Sequence, residues 1–352
     1  MIKLFFLLLT IFSTQLFADK YVEWKIALDW KSTLTPLSSS AFKISEIVKK
    51  LSDEKFIIKI SGLEKEQNSN LFQMVQKNKY QIIHVNPSKW INSDINLIWL
   101  GGIPLGMTSK EQNSWFYYGG GQKLIAKVYD NFNLLSFPAG DLGTQAGGWF
   151  KKEIKKTSDF NGLNINTKGI TSEILSMHNV NIKKISSSNI SEAFLNDELD
   201  VISGTSPSMD IKMGYHKIAP YYYTSWDKPS SQTQFLINKK AFEELPIEYK
   251  NILQYAMKIA AFEMYDENFY DSLKAWAKIQ KDYPNIQIKA LPKEVLQDLM
   301  KSKKLIFEQY AKENKLFNEI YESQKEFLKK ARQWSNIEEF SYIKAMNELE
   351  NN

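Results

Sequence analysis

Four glycines and one amide in a single short segment are the residues most able to do chemistry in this chain. The segment runs SFPAGDLGTQAGGWFKKEIKKTSDFNGLNINTKG from Ser136 to Gly169. Gly140, Gly143, Gly147 and Gly148 let backbone approach backbone or ligand closely, which a run that only had to turn would not require. Gln145 stands among them with an amide able to bond a solute or an ion. The segment is therefore a candidate hinge and ligand floor. Trp90, Trp115, Tyr117, Tyr118, Trp149 and Trp226 lie near glycines, prolines or expected strand ends. Aromatic rings with a few polar groups are the usual lining of a small-molecule cleft, and about half of such rings are expected to be core or interface packing instead.

The groups that catalysis needs are missing. His84, His178 and His216 are far apart and in no paired metal-binding spacing. Neither a Gly-x-Ser-x-Gly elbow nor a phosphate loop is present. With 40 acidic residues, pairs of carboxylates arise by chance and do not argue for a glycosidase. No cysteine occurs, which excludes disulfides, thiolate metal sites and cysteine nucleophiles. Binding, not turnover, is the expectation.

The elements that must position these residues follow from length and periodicity. A chain of 352 residues suggests two domains. Its 43% hydrophobic and 24% charged residues are ordinary for a folded protein, and the net charge of +5 is scattered, so nucleic acid is not an expected partner. Residues 1–18, MIKLFFLLLTIFSTQLFA, carry Lys3, an apolar core and a small residue before a polar continuation, the pattern of a signal peptide. That predicts a periplasmic protein.

Alternation predicts strands at Val22 to Trp30, Phe56 to Ile60 and Gln81 to Val85, and helical spacing predicts Ala41 to Leu51 and Leu71 to Val75 between them. This rhythm argues for an α/β fold with doubly wound sheets. Ser109 with Gln112 has the spacing of a capping box, so a helix is expected from there, ended or interrupted by Gly119 to Gly121. Further strands are expected at Leu134 to Phe137, Leu163 to Ile165, Leu199 to Ile202 and Gln234 to Asn238. The pattern from Ile247 to Gln280 stays helical long enough to cross from one domain to the other, and Lys293 to Leu349 reads as outer amphipathic helices. Ligands in open α/β sheets sit beyond the carboxyl ends of strands, which directs attention to Gly140 to Gln145, Ser203 to Pro207 and the end of YYYTSW at Tyr221 to Trp226.

Several motifs in order resemble the solute-binding subunits of TRAP (tripartite ATP-independent periplasmic) transporters, and within them the branch that binds 2-oxoacids. They are GIPLGMTSKEQNSWFYYGGG at Gly102 to Gly121, GTQAGGWFKKEI at Gly143 to Ile154, DFNGLNI at Asp159 to Ile165, YYYTSW, and LINKKAFEELP at Leu236 to Pro246. The resemblance covers almost the whole chain beyond the leader. It implies a two-lobed clamshell with crossing strands and a long bracing helix. Lobe I would comprise 19–143 and 230–268, lobe II 144–229 and 269–315, and 316–352 the C-terminal helices. It further implies capture of a small carboxylate, a sodium or calcium ion beside it, delivery to membrane permease subunits, and a monomer or a homodimer formed through the C-terminal helices.

Two departures alter the site the resemblance implies. The arginine that forks onto the solute carboxylate in the family corresponds here to Asn166, and the metal-binding glutamate to Ser203, while Gln145 matches. In the first lobe an aromatic pair has become Ser88-Lys89 ahead of Trp90. Losing one arginine and one glutamate together leaves the charge count unchanged. The expected site is therefore Gln145, Asn166, Ser203 and Trp226, with Tyr118, Asn238 and Lys89 as further candidates; Lys89 or Lys168 would supply a new cation for an acid, and without one a neutral polar solute is expected. A sensory or scaffold protein on the same fold is the alternative function, and an envelope enzyme a more distant one.

Overall fold

The computed structural model describes residues 20–61, 70–145, 147–224 and 226–350. The expected signal peptide at 1–18 lies outside them. Eleven strands among the described residues form two sheets. The first sheet contains β1 (Val22–Leu28), β2 (Phe56–Ser61), β3 (Ile82–Val85) and β4 (Leu134–Asp141). The second contains β5 (Gly148–Phe150), β6 (Asn164–Asn166), β7 (Asn181–Lys183), β8 (Val201–Ile202) and β9 (Tyr221–Thr224). The chain then returns to the first sheet as β10 (Gln232–Asn238), and β11 (Gln287–Ala290) completes the second.

Strand order is β2-β1-β3-β10-β4 in one sheet and β11-β9-β5-β8-β6-β7 in the other. In the first sheet β1, β2 and β3 run parallel, as helical crossovers on one chain direction require, whereas β10 is antiparallel to both of its neighbours. β10 is buried at every residue, which suits a strand inserted at the middle of a sheet. The expected doubly wound α/β character therefore holds, with an antiparallel strand contributed by the returning chain.

The chain passes between the sheets at 141–148 and again at 224–232, and the long helix Ile247–Asp282 spans both. Its first half buries Tyr249, Leu253, Ala256, Met257 and Ala260 in the core of the first sheet. Its second half packs against the helix Pro207–Met213 of the other side. Asn268 joins the two: its amide donates to the Leu142 carbonyl (2.7 Å), and its oxygen accepts from Ser206 and Ser208 (2.9 Å each).

The glycine-rich segment works here by close approach, but to protein rather than to a solute. A Cβ on Gly140 would lie 2.0 Å from Met264 Sδ, and one on Gly147 would lie 1.8 Å from Trp226 Nε1. The first glycine lets the long helix rest on β4, and the second seats an indole.

Two sequence expectations shift, and the one for Gly119 to Gly121 holds. The capping box is formed one residue earlier, by Thr108 and Glu111: the Thr108 amide donates to the Glu111 carboxylate at 2.8 Å, and the helix is Ser109–Tyr118. Gly119 ends that helix and Gly120, at φ 88°, turns the chain into a second one, Gly121–Asp130. The C-terminal helices are not merely an outer coat. Phe307 and Phe317, on the helices Lys293–Glu313 and Lys315–Ile337, are buried against Trp99, with ring centroids 5.9 and 4.5 Å away. No helix of the described residues is long and apolar enough to cross a membrane.

Candidate functional site

A cleft of about 450 Å³ opens between the two sheets, and strand ends supply most of its lining. Asp29 follows β1, and Asn86, Ser88 and Lys89 follow β3. From the second sheet come Asn166 and Lys168 at the end of β6, and Ser203 directly after β8. Lys228 joins them from the crossing that follows β9. This is where an open α/β sheet places its ligands, because the chain leaves each strand there as a loop free to vary.

Local chemistry fixes these loops. Asn86 accepts from the Ser88 amide (3.1 Å) and hydroxyl (2.7 Å) and donates to the Gly101 carbonyl (3.3 Å), closing the turn after β3. The next residue, Lys89, forms an ion pair with Asp29 and lies 4.9 Å from the centroid of the Trp90 ring. Burial pushes the Asp29 carboxyl above the usual range, and the Lys89 ammonium opposes that rise. The pair thus spends the Lys89 charge within the protein.

Asn166 is held by backbone: its amide donates to the Ile185 carbonyl (3.1 Å) and its oxygen accepts from the Ile185 amide (3.3 Å). One amide hydrogen remains for a solute. The Ser203 hydroxyl donates to the Asn166 carbonyl at a long 3.4 Å, a weak tether that a better acceptor would replace. Thr171 donates to the buried Asp227 (3.1 Å), whose pKa is raised chiefly by burial.

Lys228 and Lys168 make neither a hydrogen bond nor an ion pair through their side-chain nitrogens with the described residues, although both line the cleft. The half-buried Lys228 has a defined course. Its stem passes over Gly102, where a Cβ would come within 3.0 Å of Lys228 Cδ. Gly102 is also at φ 96°, so an ordinary side chain is disfavoured there twice over.

Of the residues expected at the site, Asn166, Ser203 and Lys89 come together in this cleft. The others are placed elsewhere. Tyr118 is 82% exposed on a different pocket, beside Phe262 and Phe340. Asn238 is buried as the N-cap of the helix Lys239–Glu243, accepting from the Ala241 amide at 3.0 Å. Trp226 is 5% exposed and packs edge-to-face on Phe160, with centroids 6.2 Å apart. Gln145 is buried beside the cleft, its backbone amide donating to the Lys228 carbonyl (2.9 Å). Trp115 and Trp149 likewise belong to the cores. Lys228 and Asp29 went unnoticed in the sequence; the signal for Lys228 was its place just beyond YYYTSW, at a strand end.

A family model described as bacterial extracellular solute-binding protein, family 7 (DctP), matches residues 30–314. The chain belongs to this family. Its members are solute-binding proteins rather than an enzyme class. Among curated relatives of this DctP protein is a monocarboxylate 2-oxoacid-binding periplasmic protein of Nostoc sp. (strain PCC 7120), 30% identical over 323 residues, 91% of this chain and 88% of that one. A TRAP periplasmic solute-binding protein from Colwellia psychrerythraea, solved with calcium and pyruvate, superposes with a TM-score of 0.89 at 34% identity, covering 93% of this chain and 100% of that one. One from Pseudoalteromonas atlantica with sodium and pyruvate gives 0.87 at 32% identity, with 92% and 99% covered. A third, from Bordetella bronchiseptica, is a dimer with calcium and picolinate in one of its sites, at 0.86 and 27% identity, with 94% and 98% covered. The two-lobed fold is thus that of TRAP solute-binding proteins.

The donors in this chain suit such an ion poorly. Calcium takes six to eight oxygens with carboxylates prominent among them. Among the described residues no group of three or more His, Cys, Asp or Glu could hold a metal. Asp29 is, among the described residues, the one carboxylate lining the cleft, and Lys89 already neutralises it. Gln145 and Ser203 offer neutral oxygens alone.

Proposed function

We propose that this DctP-family protein, exported by its leader to the periplasm, captures a small organic carboxylate in the cleft and presents it to the permease subunits of a TRAP transporter, without chemical change. The observation that carries the reading is the pair of lysines without a hydrogen bond or ion pair, Lys228 and Lys168, in a cleft otherwise lined by hydroxyls, amides, isoleucines and the Asp29–Lys89 pair. Relatives solved with pyruvate, and the 2-oxoacid-binding relative, favour a 2-oxoacid or a close analogue. Asn166 and Ser203 would hydrogen-bond the solute, Lys89 and Asp29 would form the wall of the first lobe, and Gln145 and Trp226 would hold the crossing segments rather than touch the solute. Lobe boundaries near 143/144 and 229/230 accord with the two crossings.

Contacts made only with both lobes in place would draw them together, as any ligand-driven shift requires. Thermal unfolding of the mature chain with pyruvate, 2-oxobutyrate and 2-oxoglutarate, each beside its uncharged amide, tests the proposal. A ligand at about 100 times its Kd adds about 2.7 kcal/mol of stability. Stabilisation by acids and not by amides is expected; stabilisation by the amides alone would overturn it.

We also propose that two copies pair through the C-terminal helices and the outer face of the long helix. Exposed aromatic and aliphatic residues on both, together with the dimeric relative from B. bronchiseptica, support this.

A further inference from the structure

Resting on the reading of the cleft as an organic-anion site, we propose that the Lys228 ammonium, assisted by Lys168, takes the place of the metal ion that accompanies the solute in the relatives solved with calcium or sodium. This chain then binds its anion independently of metal.

Charge argues for this first. The cleft is lined by Lys89, Lys168, Lys228 and Asp29, a net charge of +2, and it stays at +1 if the buried Asp227 behind Thr171 is counted as ionised. A divalent cation entering such a site would meet lysines and neutral oxygens. An anion would meet two ammonium groups that no described side chain hydrogen-bonds or ion-pairs, the Lys228 charge acting otherwise only on the neighbouring buried Asp227, whose pKa it lowers.

Geometry argues for it second. Lys228 is not a solvated surface lysine: its stem is guided over Gly102, a position where any Cβ would press on Cδ of that stem and on the Ser230 carbonyl. Its own carbonyl accepts the Gln145 amide, so the backbone carrying it is tied to the glycine-rich crossing. Ser203 lies in the same cleft. A cation is thus supplied from the crossing beside Gln145 and Ser203, the residues at which the family resemblance implies the ion.

An ammonium on a half-buried stem gives a point charge with three donors, whereas a bound ion demands a full shell of oxygens. A hydrogen bond between opposite charges is about twice as strong as a neutral one. Removing the Lys228 charge should therefore cost far more than removing a hydroxyl of the same cleft.

Isothermal titration of the mature chain with pyruvate and with 2-oxoglutarate, in EDTA and again in excess calcium or sodium, tests the inference. Affinities within about threefold across these buffers are expected. Lys228→Gln should weaken binding at least tenfold, Lys168→Gln by a smaller factor, and Lys228→Arg should recover part of the loss. Unfolding midpoints of the unliganded variants check that each is folded, and Lys168→Gln, at an exposed position, serves as the second probe if Lys228→Gln is not. Binding abolished by EDTA and restored by calcium would overturn the inference while leaving anion capture intact. Binding in neither buffer would overturn both. Equal affinity of wild type and Lys228→Gln would leave Lys228 without the proposed role and overturn the inference as well.

Discussion

Asp141 ends β4 where the chain leaves the first sheet, and it is completely enclosed. Burial raises its pKa to about 6, against the hydrogen bonds it accepts from the Ser230 hydroxyl and the amides of Ser231 (2.9 Å) and Gly143 (2.8 Å). Because the folded value lies above the unfolded value of about 3.9, the folded state binds the proton more tightly. Stability from this group is present at low pH and is lost as pH rises from about 4 through about 6. Asp141→Asn has no such proton to bind, and its amide can still serve the Ser230 hydroxyl. The stability of wild type minus that of Asp141→Asn should rise by about 2–3 kcal/mol on going from pH 7 to pH 4, whichever is the more stable at pH 7. Urea titrations at the two pH values measure it, and a difference that falls toward acid would sink the assignment. At this scale the sequence was partly misleading. Trp115 lies near Gly119 to Gly121 and Trp226 near Pro229 at a strand end, which read as open, ligand-facing settings. In the folded protein the glycine makes room for the ring: a Cβ on Gly121 would be 2.7 Å from Trp115, as one on Gly147 would strike Trp226. The strand-end rule directed attention to Ser203, and the family motif to Asn166, and both line the cleft. Lys228 has only the weaker mark of standing just beyond YYYTSW, one lysine among many with nothing in the sequence to show that the crossing aims it.

Elements were more legible than side chains, because periodicity is a property of a segment and survives ignorance of its neighbours. The long helix was expected to end at Gln280 and ends at Asp282. The strands β5, β7 and β11 were missed: they are three or four residues long, and β7 and β11 are largely exposed, so neither length nor alternation marks them. Pairing with a neighbour already in place creates them. The contact between the long helix and β4 carries a prediction at this scale. Gly140 is at φ 140° and leaves no space for a Cβ beside Met264. Gly140→Ala must displace the helix or the strand, at a cost of about 1–3 kcal/mol for overpacking. Met264→Ala alone opens a cavity and should cost about 2–5 kcal/mol. Combined, the two changes relieve one another in volume, so the double variant should be more stable than the sum of the single effects by at least about 0.5 kcal/mol. Simple additivity in denaturant titrations would show that the close approach does not constrain the helix.

The whole molecule presents one feature that a lone copy does not explain. The long helix is apolar on its buried side and again on its outer side, where Tyr255, Ile259, Phe262, Phe269 and Leu273 are between 44% and 68% exposed. Their spacing is four, three, seven and four residues, which becomes a four-three repeat if Asp266 fills the gap. That is the spacing of a helix–helix seam, and a single polar residue within such a seam fixes register at some cost in stability. Nearby, Ile337, Phe340 and Ile343 of the C-terminal helices expose 49% to 70% of their surface, and Phe262, Phe340 and Ile343 border one pocket. Monomeric proteins seldom leave contiguous apolar surface of this kind open to water. A second copy is the occupant the pattern fits, since the seam lies on one side of the lobe-spanning helix, away from the face that rests on β4. Sedimentation of the mature chain at tens of micromolar should therefore report a dimer. The Phe262→Glu, Phe269→Glu double variant should sediment as a monomer, because each carboxylate would have to be buried in the seam without a partner. Its solute affinity should stay within about twofold of wild type, as neither residue lines the cleft. A wild-type chain that is monomeric at every concentration would remove the proposed pairing, and the outer stripe would then need another partner.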